Sequence, residues 1–270
     1  MKGWVWWVLL FVGCGGGDSS VQGQRALERG DLVEAERHFR TALDDGPDRV
    51  EALYGLGWVY HLTGSSSRAR DYFMRCLRVD SMDHRGFKGL GSLALAEGNF
   101  QMAEKRFLEA LEKAPGDPAV TNSLALTFMG AGRYEEAVEL LEQLVAAHPK
   151  QGELGLNLAE GHFRLKNFQQ ALDTVAQSLA QEITEVRFRA LLHELRARIL
   201  VGMTSGRLDK ADCSSSLPPL LETLGIADKE LDFAESLGVE MPNLNAARLR
   251  VHRRRSRILE DCPDEGQNVP

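Results

Sequence analysis

Small and apolar residues return along this chain at a fixed interval of 34 positions, with polar residues filling the gaps between them. A Gly or Lys is followed five residues on by Ala, four further by a bulky apolar residue, and three beyond that by a small or apolar one. The series reads Gly30–Ala35–Phe39–Ala42, Gly64–Ala69–Phe73–Cys76, Gly98–Ala103–Phe107–Ala110, Gly132–Ala137–Leu141–Leu144 and Lys166–Ala171–Val175–Ser178. Steps of four and three put such residues on one face of a helix. A second apolar set precedes the Gly at similar spacing: Leu53, Leu56, Gly57 and Tyr60; Phe87, Leu90, Gly91 and Ala94; Leu124, Ala125 and Phe128; Leu158 and Ala159. The pattern predicts five helix–turn–helix repeats over residues 21–185.

The helix ends are marked too. Gly30, Gly64, Gly98 and Gly132 end the first helices, because Gly enters the left-handed conformation beyond a helix end without strain. Pro47, Pro115 and Pro149, with Ser81 in the second repeat, stand where the second helices stop. The small residue after the first-helix leucine lets two helix backbones approach closely. One antiparallel pair cannot bury its own apolar faces, but stacked pairs can. The expected fold is therefore an all-α solenoid, a class that binds rather than catalyses.

Small, large and proline positions recurring together resemble the tetratricopeptide repeat family over roughly residues 21–185. The resemblance implies a right-handed solenoid of about five repeats, with first helices lining a concave groove that holds protein partners. The first repeat departs from the pattern, with Gln22, Gly23 and Ala26 where bulky residues are expected, so its first helix reads as short or frayed. The fifth has Lys166 for Gly and no terminal Pro, as in a repeat turning into a cap. First-helix residues unused by the signature then point into the groove: Tyr54, Trp58 and His61; Arg85, Lys88, Ser92 and Leu95; Asn122, Leu126 and Met129; Leu156, Asn157, Glu160 and Phe163. Trp58, Leu95, Leu126, Met129 and Phe163 form an apolar stripe suited to an extended peptide or an amphipathic helix. Packing against the neighbouring repeat is the alternative for each. Chaperone-binding members hold C-terminal carboxylates with a Lys, Asn and Arg set; only Lys88 and Asn157 echo it, so a carboxylate clamp is not expected.

With 270 residues, 43% of them apolar, the chain can bury a sizeable core. Its formal net charge of −7 speaks against general nucleic-acid binding. Residues 1–20 stand apart. Met1-Lys2 precedes an apolar run from Trp4 to Val12, too short to span a bilayer as a helix but of signal-peptide size. An uncleaved anchor is the alternative. The segment Phe11-Val12-Gly13-Cys14 resembles the lipobox of bacterial lipoproteins, although Phe11 is atypical at its position. That resemblance implies a cleaved signal peptide at 1–13, acylation (palmitate) on Cys14 and a flexible tether at 14–20. Two or three acyl chains anchor stably where one does not. Gly15 in place of Asp implies the periplasmic face of the outer membrane. In that oxidising compartment Cys213 and Cys262 are candidates for a disulfide, while Cys76 fills a small core position.

Beyond the repeats, residues 186–203 keep Leu191, Leu192, Leu195, Ile199 and Leu200 at helical spacing and predict a capping helix. Residues 204–219, closed by Pro218-Pro219, read as a loop. Residues 220–262 read as a helical module with helices near 220–237 and 244–260, and 263–270 as a disordered tail. The last helix carries Arg248, Arg250, His252, Arg253, Arg254, Arg255 and Arg257. It is either a solvated face, with Leu249, Val251, Ile258 and Leu259 turned inward, or a contact for lipid phosphates or an acidic partner patch. His193-Glu194 lacks the second His of a zinc-protease motif, since Ala197 stands there. No Cys-x-x-Cys pair or phosphate-binding glycine loop is present. No enzyme activity, cofactor, metal, nucleic acid or small-molecule substrate is expected.

The expected role is a membrane-anchored scaffold lipoprotein that holds a cell-envelope protein by its groove. In layout it resembles the pilotins of type IV pilus systems, which help a secretin assemble in the outer membrane. An adaptor in outer-membrane protein insertion or in cell-wall hydrolase recruitment is the alternative. A cryptic enzyme in the C-terminal module is a third reading.

Overall fold

A computed structural model describes residues 18–183, 185–204, 213–241 and 243–262, without the side chains of 213–216. The signal peptide, Cys14, most of the tether and the tail expected at 263–270 lie outside the described residues. Those described form helices and no strand. Five helix pairs fall on the 34-residue interval. The first helices are α1 (Ser19–Glu28), α3 (Val50–Leu62), α5 (His84–Ala96), α7 (Pro118–Gly130) and α9 (Gly152–Arg164). The second helices are α2 (Leu32–Asp45), α4 (Ser66–Val79), α6 (Phe100–Lys113), α8 (Tyr134–Ala147) and α10 (Phe168–Ala180). Three more follow: α11 (Val186–Met203), α12 (Cys213–Ser236) and α13 (Leu244–Asp261).

The chain forms two compact units, Met1–Pro115 and Gly116–Pro270. Within each unit helices pack on their neighbours in sequence. First helices also touch one another directly, α1 with α3 and α3 with α5 in one unit, α7 with α9 and α9 with α11 in the other. The second helices make no comparable contact among the described residues. The first-helix side is thus the tighter, inner side of each unit.

The turn inside each repeat is built the same way. Gly30, Gly64, Gly98 and Gly132 have φ of 78°, 76°, 73° and 78°. The next residue donates its amide back to the first helix: Asp31 to Ala26 at 2.9 Å, Ser65 to Tyr60 at 2.7 Å, Asn99 to Ala94 at 2.8 Å and Arg133 to Phe128 at 2.9 Å. These bonds satisfy carbonyls that a helix end leaves open. Lys166 takes the same place with φ of 61°, and Asn167 still donates to His162 O at 2.9 Å. The turn outlives the loss of its glycine. Asp31 and Asn99 then cap the following helix, accepting from Glu34 N and Met102 N.

The core is a row of wedges. Phe39, Phe73 and Phe107 are at most 1% exposed. A Cβ on Gly23 or Gly55 would stand 2.7 or 2.3 Å from the Phe39 ring, and one on Gly57 or Gly89 would stand 2.4 or 2.3 Å from the Phe73 ring. Gly91 stands in the same relation to Phe107, at 2.7 Å. The small first-helix residue therefore admits an aromatic ring, not a facing helix backbone as the sequence suggests. The corresponding positions of the second unit are Ala125 and Leu141, and Ala159 and Val175, all 0% exposed. Where the wedge residue is smaller, Ala replaces Gly at the slot position, as close packing favours.

Several boundaries differ from the sequence expectation. α1 has 10 residues against 13 in α3, and it starts at Ser19, where the Asp18 side chain accepts from Ser20 N at 3.0 Å. Ser19 and Ser20 therefore belong to a capped helix and not to a tether. α12 runs from Cys213 through Pro218-Pro219, where the sequence predicts a loop. The prolines sit early in that helix and remove two amide donors, while the buried stripe of Leu217, Leu224, Ala227 and Leu231 continues past them. In α13, Val251 and Ile258 are buried but Leu249 is 47% exposed. Positions 249 and 251 cannot share a helix face.

Candidate functional site

The inner face of the first unit holds an open hollow of about 580 Å³, lined from α1, α3 and α5 by Ser20, Val21, Gln24, Glu51, Tyr54 and Arg85, with Phe39 beneath. Its rim is charged and internally paired. Arg49 Nη1 donates to Asp18 Oδ1 at 3.1 Å, and Arg85 Nη1 to Glu51 Oε1 at 2.9 Å. Arg85 also grips Asp83, with Nε at 2.9 Å from Oδ1 and Nη2 at 2.5 Å from Oδ2. Burial pushes the Asp83 carboxyl up, but the hydrogen bonds from Arg85 outweigh it and hold its pKa below the usual value. Those bonds in turn raise Arg85. Arg85 is therefore a cation held in one place by two carboxylates.

Beside the hollow, Trp58 is half-buried in an aromatic group. Its ring lies 6.1 Å from Tyr54, 5.3 Å from His61 and 6.1 Å from Phe73. Burial lowers the His61 pKa, which favours the neutral imidazole. Lys88, Ser92 and Leu95 of α5 are half-buried, as are Leu126 and Met129 of α7 in the second unit. Tyr54, Trp58 and His61 thus form one group, and Tyr54 lines the hollow together with Arg85. Asp18, Arg49 and Glu51 were not predicted. Their signal was available for Glu51, which stands one 34-residue step before Arg85.

In the second unit the prediction fares less well at its polar positions. Asn122 is 8% exposed, and its Nδ2 donates to Glu153 Oε1 at 3.0 Å while its Oδ1 accepts from Asn157 Nδ2 at 3.0 Å. This ladder ties α7 to α9; the buried Asn122 is corrected from groove to packing, while Asn157 is half-buried with its Nδ2 on Asn122. Leu156 packs on the core cluster of α9, α10 and α11. Glu160 accepts from Arg164 Nε at 2.6 Å and pairs with Arg198 Nη1 at 3.2 Å. The Arg198 guanidinium lies 5.2 Å over the Phe163 ring. Phe163, Arg164, Ala197, Arg198, Val201, Gly202 and Arg250 line a hollow of about 310 Å³.

The arginines of α13 divide. Arg248 pairs with Asp232 at 2.8 Å and Glu235 at 2.6 Å, and Arg255 with Asp228 at 2.9 Å. Arg254 donates to the Thr204 carbonyl. Arg250, Arg253 and Arg257 are exposed. Elsewhere His193 Nδ1 lies 2.6 Å from Glu230 Oε2. Cys76 is buried and free, and burial pushes its thiol up to about 12. Cys262 is buried and disulfide-bonded; the side chains of Cys14 and Cys213 lie outside those described. Among the described residues no group of three His, Cys, Asp or Glu could hold a metal ion, and no helix is long and apolar enough to cross a membrane. The arrangement offers aromatic and guanidinium groups on inner helix faces, which is binding chemistry.

Two tetratricopeptide repeat models match the chain, one over residues 21–78 and 88–152 and the other over 128–199, together more than half of it. Tetratricopeptide repeat protein 7B of Homo sapiens is 35% identical over 100 residues, which is 37% of this chain and 12% of that protein. The chain spans between 10% and 34% of the length of curated relatives it matches. Among solved structures, a tetratricopeptide repeat protein of Parabacteroides merdae ATCC 43184 has a TM-score of 0.63 at 18% identity, covering 87% of this chain and 83% of that one. The structure of pilF from Pseudomonas aeruginosa has a TM-score of 0.62 at 17% identity, covering 86% and 95%. These two likenesses show the fold.

Proposed function

The chain belongs to the tetratricopeptide repeat family, and on that premise we propose that it is a lipid-anchored scaffold of the bacterial cell envelope whose inner helix faces hold a partner protein. The observation that carries the binding surface is the half-buried Trp58 group beside the hollow of Arg85. Tryptophan, tyrosine and arginine in partly desolvated positions dominate interface energies, and Tyr54, Trp58 and Arg85 occupy one such face. Phe163 under Arg198 is its counterpart in the second unit.

The anchor in this reading is acylated Cys14, within the lipobox-like run Phe11 to Cys14, at the periplasmic face of the outer membrane. The disulfide of Cys262 is with Cys213, which peptide mapping without reductant tests directly. The complex served is the type IV pilus secretin, supported by the layout of a lipobox-like segment ahead of five repeats.

The test is affinity purification of the chain from solubilised membranes beside a Trp58→Ala, Phe163→Ala double variant. A partner retained by the parent and lost from the variant supports the surface; equal retention overturns it. In a deletion strain, loss of secretin multimers supports the pilus assignment. Normal multimers with broad detergent sensitivity overturn it in favour of outer-membrane protein insertion or hydrolase recruitment.

A further inference from the structure

We propose that the Phe163 hollow and the Arg250–Arg253–Arg257 stripe of α13 together bind an acidic peptide segment that carries one apolar anchor residue. The stripe is set apart by its neighbours. Arg248 and Arg255, seven residues apart, are spent on Asp232, Glu235 and Asp228 of α12. Arg254 is turned toward Thr204. Arg250, Arg253 and Arg257 follow one another at steps of three and four, so they share another face of the helix, and all three are exposed. Arg250 also lines the hollow, which joins stripe and hollow into one surface within the second unit.

The hollow supplies the apolar part. Phe163, Ala197, Val201 and Gly202 form its walls, and about 310 Å³ is room for one large side chain. Three guanidinium groups surround it, from Arg164, Arg198 and Arg250. Glu160 is shared by Arg164 and Arg198, yet each guanidinium has five donors and keeps some unused. Glu194 lies nearby at 5% exposure; its burial raises its pKa, opposed by Arg198 and Arg250. Cations therefore outnumber carboxylates at the mouth. The stripe is about 10 Å long at the helical rise, the reach of about three residues of extended chain. A recess for a single side chain next to a short line of charge fits a peptide. A bilayer surface would meet the line but not enter the recess.

This adds a surface to the scaffold reading and uses arginines that the groove test leaves intact. A fluorescein-labelled peptide of alternating Asp and Glu with one central Leu is titrated with the full chain in neutral detergent micelles, followed by anisotropy. Saturable binding that weakens with salt is expected. The Arg250→Glu, Arg253→Glu, Arg257→Glu variant weakens it about tenfold or more, and Leu→Asp in the peptide weakens it several-fold. Trp58→Ala, in the first unit, leaves it unchanged, whereas Phe163→Ala, which opens the hollow, weakens it, so this inference and the Trp58 part of the groove reading fail separately. The paired change Arg253→Gln, Arg257→Gln, at two exposed positions, gives a smaller loss with the helical circular dichroism intact. Parent-like affinity in the triple variant overturns the inference. So does binding of phosphatidylglycerol-doped micelles through these arginines without binding of the peptide.

Discussion

A Cβ added to Gly89 would stand 2.3 Å from the Phe73 ring, so these two residues fit only as a pair. Gly89→Ala gains about 1 kcal/mol of helix propensity, but overpacking a closed core costs about 1–3 kcal/mol and relaxation here must move a ring with 0% exposure. A net loss of about 1–2 kcal/mol is expected. Combined with Phe73→Leu, the loss is smaller than the sum of the two single changes, because the smaller wedge leaves room for the methyl. Urea midpoints of the four proteins in this cycle measure it; strict additivity would show that the slot is not filled by the ring.

Lys166 holds a φ of 61° in the place where the earlier repeats have glycine. The left-handed conformation disfavours a non-glycine residue by roughly 1 kcal/mol. Lys166→Gly should raise stability by up to about 1 kcal/mol. Gly98→Ala should lower it by a similar amount, although nothing lies within 4 Å of the added Cβ. The comparison isolates backbone strain from packing, and an unchanged midpoint for Gly98→Ala would refute the turn argument.

His162 is 5% exposed and its Nδ1 has no partner, with Glu142 3.9 Å from Nε2. Burial lowers its pKa, opposed by Glu142, and burial lowers His61 as well. The unfolded chain therefore takes up these protons first. Their contribution is full above about pH 6.5 and is lost as pH falls through that value toward the folded ones. His162→Leu should flatten the dependence of the urea midpoint on pH between ~7.5 and ~5. A slope equal to the parent's would remove His162 from the account.

Burial pushes the Cys76 thiol up to about 12 from an ordinary 9.0. The folded thiol keeps its proton where an unfolded one loses it, so stability is full below about pH 9 and declines as pH rises toward 12. At neutral pH the thiol should resist iodoacetamide until the chain unfolds. Mass spectrometry of the alkylated protein reads this, and rapid labelling at Cys76 in the native state would contradict the burial.

The helices of the repeats were legible because what makes them is local and recurs. A glycine turn and an Ala–Phe–Ala face repeat at one interval, and each is visible within about a dozen residues. The aromatic part of the inner face was legible for the same reason. The packing role of Asn122 was not, because an inner-face amide can face outward or bond its neighbour, and Asn122 meets Glu153 and Asn157 only 31 and 35 residues on. Arg198 and Arg250 were beyond reach as parts of one hollow, since α11 and α13 leave the 34-residue register and only tertiary packing brings them to Phe163. Pro218-Pro219 misled because an apolar stripe on both sides outweighs two lost amide donors.

Phe39 and Phe73 each meet one glycine sixteen residues earlier and another sixteen residues later. Excise any 34-residue block between Gly23 and Phe107, and every surviving ring still finds a glycine at the same distance. The ring-and-glycine register of this unit is thus kept when whole repeats are lost or gained. Beyond it, Ala125 and Ala159 stand sixteen residues before Leu141 and Val175, so a phenylalanine placed at 141 or 175 would strike a methyl group where it needs empty space.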